Sequence, residues 1–324
     1  MESKHISVLL EETIKGLCIQ PDGCYVDCTL GGGGHSEEIC KALSCDGTLI
    51  GIDQDQYALE RAEKRLASYS CHKIFVQNNF KNLADILIKT GYTKVDGIVF
   101  DLGVSSFQFD QADRGFSYRF DGPLDMRMDR RQDLDAKKIV NHYTEEQLKK
   151  ILWEYGEEKL SGKVASAIVR ARKEKPITTT LELASIVSDA YPAKLKRKKH
   201  PAKKTFQALR IEVNQELAIL KGALTQAIDH LKPGGRLCVI SFHSLEDRQV
   251  KQCFNTQSNP CTCPKEFPQC ICGKVPTIKK ISRKPILPDA KELEENRRAH
   301  SAKLRIVERV EGGNAYDNAK TSER

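Results

Sequence analysis

"DCTLGGGGHS", residues 27–36, sets four glycines between an apolar run and a His-Ser pair. The stretch just before it, "CYVDCTL" (residues 24–30), reads as a strand. Glycines that close a strand and open a helix bare the backbone at the carboxyl edge of a parallel sheet, where ligands bind. The helix start adds free N–H donors. The next apolar run, "TLIGIDQD" (48–55), carries Asp53, 22 residues after Gly31. A carboxylate there meets the hydroxyls of a ribose. A flexible turn would account for the glycines but not for the placed acid, so an adenosine-type ligand is expected.

Working outward, "KIFVQNNF" (73–80) and "VDGIVFDLG" (95–103) read as two further strands. Helices fit between, for instance over 56–68, where Ala58, Leu59, Ala62 and Leu66 recur at helical spacing. Continuous apolar strands separated by helices predict an α/β, doubly wound parallel sheet. The fifth strand, "GRLCVISFHS" (235–244), follows the turn "KPGG" (232–235). A crossover needs about 30 residues, yet about 130 separate Gly103 from Gly235, so most of the interval is an insertion. Helical patterns over 145–155, 157–173 and 181–190 make that insertion all-helical, with a long helix over 205–231 returning to the sheet. Runs at 277–286 and 302–310 are expected as edge strands. The expected division is a discontinuous catalytic domain (1–107 and 212–310), an inserted helical domain (108–211) and a disordered tail (311–324).

Composition is that of an ordinary globular protein: 324 residues, 40% hydrophobic and 30% charged. The 52 basic residues against 44 acidic ones give +8, which suits a polyanionic partner without identifying one. No apolar stretch approaches the roughly 18–20 residues of a membrane span. The opening "MESKHISVLL" lacks the pattern of a secretory signal. A cytoplasmic protein with its twelve cysteines as thiols is expected.

The dinucleotide fingerprint G-x-G-x-x-G is met only trivially, because the run stops at Gly34 and His35-Ser36 follow. Asp27, Asp53 and Asp101 close strands one, two and four, so three acids rim one crevice. They would repel a pyrophosphate and attract a sulfonium. The pattern favours S-adenosylmethionine and disfavours a nicotinamide cofactor.

"DCTLGGGGHS", "GIDQD", "FDLGVSSFQFDQADRGFSYRFDGPLDMRMD", "HPAKKTFQALRIEVNQEL" and "SFHSLEDR" together resemble the ribosomal small-subunit RNA cytosine-N4-methyltransferase family, from about residue 5 to residue 309. The resemblance implies a class I, Rossmann-like S-adenosylmethionine methyltransferase with an inserted helical domain that recognises RNA. It implies as substrate one cytidine in the decoding region of 16S rRNA, methylated on its exocyclic amine, with the small ribosomal subunit as partner. Carried over by motif, cofactor contacts fall on Gly33, Gly34, His35, Asp53, Phe80, Asp101 and Gln108. Departures are Ser7 where proline is usual, Lys203-Lys204 where Thr-Arg or Lys-Arg is common, and Arg297 and His300 where Pro and Arg are expected.

The N4 lone pair is delocalised into the ring, so catalysis rests on aligning the nitrogen with the methyl group and accepting its N–H. Asp101 is the expected acceptor. His243, Ser244 and Glu246 follow strand five and are candidates for orienting the base or taking a proton. A C5-methyltransferase would need a cysteine in the strand-four loop, and "DLGVSS" has none. A hydrolase reading of "SFHSLED" lacks the G-x-S-x-G elbow.

"CTCPKEFPQCIC" sets Cys261, Cys263, Cys270 and Cys272 as two C-x-C pairs. The alternatives are a structural zinc site and a loop of free thiols, both left open. Not every family member has the cluster, which argues against a catalytic metal. "AKLKRKKHPAKK" (193–204) carries seven Lys/Arg and no acid, either a solvated face or a grip on phosphates. Residues 113–131 mix Arg114, Arg119, Arg127, Arg130 and Arg131 with Phe116, Tyr118 and Phe120. That pattern suits unstacked RNA bases, or else an ordered loop packing its own aromatics. Two further readings remain: a methyltransferase of another nucleic acid such as DNA or tRNA, and a cofactor-binding ribosome-assembly factor without turnover. A homodimer is left open.

Overall fold

Apolar residues at consecutive positions of a strand point to opposite faces, so a strand apolar throughout must be covered on both. The computed structural model, which describes residues 7–196, 200–264, 267, 269–296 and 298–311, shows this arrangement. Strands β1 (Cys24–Asp27), β2 (Thr48–Asp53), β3 (His72–Gln77), β4 (Val95–Asp101) and β5 (Leu231–Ser241) are parallel. Tyr25, Leu49, Val99 and Cys238 face one way, into a core with α1 (Leu10–Leu17), α2 (Gly34–Ala42) and α3 (Gln56–Leu66). Their neighbours Val26, Ile50, Ile98 and Val239 face the other, against α4 (Leu83–Lys89) and later helices. Each such side chain, once buried, contributes about 1.5–3 kcal/mol.

The sheet order is β3-β2-β1-β4-β5-β7-β6, with β6 (Ile278–Lys280) and β7 (Lys303–Arg309). Strand β7 is antiparallel to both its neighbours. This is the expected Rossmann-like class I fold. One detail is corrected: β7 is an interior strand between β5 and β6, and only β6 lies at the edge. The "KPGG" turn survives as a break in pairing. Leu231 pairs with Val95 and pairing resumes at Arg236, with Gly234 at φ +80° between.

The contacts divide the chain into two compact units, Met1–Gly103 with Ile219–Arg324, and Val104–Ala218. The expected cuts at 107/108 and 211/212 fall inside the second unit. The residues expected as a disordered tail, beyond 311, lie outside the described residues. The second unit holds α5 (Ser106–Asp110), α6 (Ala136–His142), α7 (Glu145–Glu154), α8 (Ser161–Glu174), α9 (Thr180–Asp189), α10 (Ala193–Lys196) and α11 (Ala202–Asn214). Ile139, Leu148, Val164, Leu183 and Leu209 share its core. The single helix expected over 205–231 is in fact two, α11 and α12 (Glu216–His230), parted at Gln215 with φ +53°. Buried Asn214 fixes the break: its amide accepts from Met128 N at 2.8 Å and donates to Met126 O at 2.8 Å. Arg210 grips Glu216 across it through two 2.8 Å bonds. No helix among the described residues is long and apolar enough to cross a membrane.

Candidate active site

At the carboxyl edge of the first unit the glycine loop turns from β1 into α2. Gly31 has φ +50° and Gly33 φ +75°, both left-handed. A Cβ on Gly33 would lie 3.3 Å from Ala62 of α3, and one on Gly34 would lie 1.9 Å from Ser7 Oγ. These two glycines therefore let the loop close on the protein itself. Gly32 instead faces open space, with nothing within 4 Å of such a Cβ. The loop thus divides its work, with tight packing at its end and bare main chain at its middle.

His35, the second residue of α2, turns its ring inward. Its Nε2 is 3.1 Å from Val8 O and its Nδ1 is 3.8 Å from Asp101 Oδ2. A carbonyl accepts only from N–H, so the proton belongs on Nε2 and Nδ1 offers a lone pair toward Asp101. Burial pushes the imidazole pKa down to about 4, so the ring is neutral near pH 7. It supplies no positive charge to the acids beside it.

The three strand-end acids converge as expected. Asp27, buried, accepts from Ser36 Oγ at 2.7 Å and Thr29 N at 3.1 Å. Asp53 accepts from Gly31 N at 2.8 Å and Asp55 N at 2.9 Å, which ties β2 to the loop. Burial raises both carboxyls to about 6, against these hydrogen bonds. Asp101 N donates to Thr29 Oγ1 at 2.6 Å. Asp101 Oδ1 is sealed from solvent with no hydrogen-bond partner. Burial first, then the charges of Asp27 and Glu246, hold Asp101 well above the usual carboxylate range. No Lys or Arg pairs with any of the three among the described residues.

After β5, His243 caps α13 (Ser244–Ser258) in a reciprocal box with buried Glu246. Glu246 Oε2 accepts from Phe242 N at 2.8 Å and His243 N at 3.3 Å, and Glu246 N donates to His243 Nδ1 at 3.4 Å. His243 is thus partly spent on structure, while its Nε2, 3.0 Å from Glu246 Oε1, makes no hydrogen bond. Ser244 is exposed on the first turn. Phe80 follows β3 and packs edge-on against Phe100, ring centroids 5.4 Å apart. Gln108 belongs to the second unit, where its side-chain oxygen accepts from Ser105 N at 3.2 Å. Sequence reasoning missed Thr29 and Ser36, the partners that aim Asp101 and Asp27. Hydroxyls flanking a glycine run were the available signal.

In the second unit, residues 113–131 largely pack their own aromatics. Buried Arg114 holds Arg127 O at 3.0 Å, Phe116 is core, and Tyr118 stacks on His200 with centroids 4.5 Å apart. Arg127, Arg130 and Arg131 pair with Asp125, Asp113 and Asp129. Phe120 alone of the three aromatics is strongly exposed. Of the basic run, Lys194, Lys196 and Lys203 are exposed, and residues 197–199 lie outside the described residues. A feature missed in the sequence is Trp153, 60% exposed. It lines a groove of about 590 Å³ with Lys149, Lys150 and Lys159. Lysines three and four positions before an outward Trp on one helix were the signal.

The model of the MraW methylase family matches residues 2–310. The chain is 57% identical over 310 residues to the ribosomal RNA small subunit methyltransferase H of Clostridium botulinum (strain Kyoto / Type A2), covering 96% of this chain and 100% of that one. It is 53% identical to the protein of the same name from Carboxydothermus hydrogenoformans, covering 96% and 99%. Among solved structures, an rRNA methylase from Streptococcus thermophilus matches 93% of this chain and 94% of that one, at 10% identity and a TM-score of 0.40.

Proposed function

Because the chain belongs to the MraW methylase family, we propose that it transfers a methyl group from S-adenosylmethionine to the N4 amine of a cytidine in the decoding region of 16S rRNA, acting in the cytoplasm on the small ribosomal subunit. The observation that carries this reading is the pair of features at Asp101: an unpartnered, sealed Oδ1, and two further acids, buried Asp27 and half-buried Asp53, without a neutralising cation.

The residues fit the cofactor. A rim of three acids suits a positive sulfonium, Asp53 keeps lone pairs for two hydroxyls, and Gly32 leaves the main chain open. When bound, S-adenosylmethionine supplies an electrophilic methyl group on a sulfur that leaves neutral. In the first unit Gly33, Gly34, His35, Asp53, Phe80 and Asp101 are assigned to hold it, with Gln108 of the second unit carried by the family resemblance alone. Asp101 accepts an N–H of the cytosine amine as that nitrogen becomes positive, and its raised pKa makes it a stronger proton acceptor than an ordinary carboxylate. His243 and Ser244 are assigned to orient the base from the far side of β5.

N4 is favoured over C5 by the thiols at this edge. Cys28 is buried, and burial holds it far above the range where a thiolate nucleophile forms. RNA contact is assigned to the second unit, through Trp153 with its lysines and the exposed lysines at 194, 196 and 203. Purified protein, labelled S-adenosylmethionine and unmodified small subunits should yield labelled N4-methylcytidine on nucleoside mass spectrometry. Label in 5-methylcytidine, label only in DNA or tRNA, or cofactor binding without any transfer would each overturn the proposal.

A further inference from the structure

The segment from 259 to 277 joins α13 to the edge strand β6 and takes no part in the chemistry above. It carries Cys261, Cys263, Cys270 and Cys272, whose sulfurs all lie within 4.8 Å of one another. The Cys270 Sγ is 3.5 Å from that of Cys261, 3.8 Å from that of Cys263 and 3.3 Å from that of Cys272. Four thiols without a metal have no reason to converge, because S–H groups are weak donors and weak acceptors. They are also not disulfides, since bonded sulfurs stand about 2.0 Å apart. Four sulfurs about 2.3 Å from one zinc ion, at tetrahedral corners, stand about 3.8 Å from each other, and the three spacings to Cys270 lie at or a little below that value.

We propose that these four cysteines form a structural Zn(II) site, tetrahedral and closed by thiolate sulfur alone. Two observations support it beyond the spacing. The Ile271 N–H donates to Cys263 Sγ at 3.4 Å, the kind of second contact that stabilises a charged sulfur ligand. The cluster also sits in a segment with little core of its own: Phe267 is 46% exposed and Ile271 75%. Apolar burial does not order such a loop, and a metal crosslink would. Binding exchanges four S–H protons for one dication and leaves no coordination position for water or substrate. The site therefore clamps the connection from α13 to β6, and its loss should leave methyl transfer measurable.

The test is metal analysis of full-length protein purified under reducing conditions without chelator, alongside Cys270→Ser/Cys272→Ser. About one equivalent of zinc in the wild type and none in the double variant is the expected result. Cobalt added to metal-stripped wild type should give the visible bands of tetrahedral thiolate coordination. Limited proteolysis should cut the variant faster between 259 and 277, with its circular dichroism otherwise unchanged. Less than a tenth of an equivalent of zinc with all four thiols free and no cobalt bands would overturn the site, as would an intact mass showing two disulfides in fresh protein. If the double variant fails to fold, the wild-type cobalt spectrum still decides.

Discussion

Asp101 combines roles that a surface carboxylate could not. Its backbone is tied to Thr29, its Oδ1 has no partner, and its neighbours are acids and a neutral imidazole. A donor on a ligand would satisfy this oxygen, which the protein itself leaves without a hydrogen bond. Asp101→Asn keeps the shape, removes the charge and puts an N–H donor in place of one acceptor oxygen. Single-turnover methyl transfer should fall roughly 10²–10⁴-fold, the usual worth of a positioned base. Cofactor binding should remain measurable by calorimetry. An unchanged rate would remove Asp101 from the chemistry. The sequence announced this residue through its place at a strand end. It could not announce the proton state of His35, which depends on Val8 O, a contact across 27 residues of chain.

The glycine loop was legible as an element, but its reasons were only half so. A ligand-approach reading treats the four glycines alike, whereas the structure gives Gly33 and Gly34 to packing against Ala62 and Ser7, and Gly32 to open space. Forcing an L-side chain to φ +75° costs about 1–2 kcal/mol, so Gly33→Ala should lower the urea midpoint accordingly. Gly32→Ala, which meets nothing, should leave stability within about 0.5 kcal/mol of wild type. Equal losses for the two variants would contradict this division. The strands β1, β2 and β4 were readable because burial on both faces demands continuous apolar runs, while the edge strand β3 is only half-buried. The break between α11 and α12 was not, because Gln215 is an ordinary residue forced left-handed by buried Asn214 and the Arg210–Glu216 pair. Tertiary contacts decided that element, and no glycine or proline marked it.

At the scale of the whole molecule, the insertion was visible as excess length and its helices as periodicity. Its surface was legible only as two alternatives: the arginines and aromatics of 113–131 read in sequence as an RNA grip or a self-packed loop, and in the fold they mostly satisfy one another. The exposed Trp153 is the chain's one tryptophan, so selectively excited tryptophan emission reports on its groove alone. Ribosomal RNA should quench it, with an apparent affinity that falls steeply with added salt. Unchanged fluorescence under conditions where RNA binds would move the contact elsewhere on the unit. Three separate strands deliver Asp27, Asp53 and Asp101 to one edge, and the central claim is that this edge is built for a cation. Burial pushes Asp27 and Asp53 up to about 6 and holds Asp101 well above the usual carboxylate range, so the three keep their protons to higher pH than surface carboxylates do. A cation among them favours the ionised forms, so its binding must release protons and strengthen as pH rises through 6 toward 7. Calorimetry at pH 6 and 7, in buffers of different ionisation enthalpy, should find more protons released by S-adenosylmethionine than by its neutral thioether product. Equal proton release, with affinities for the two ligands changing in parallel with pH, would contradict the account.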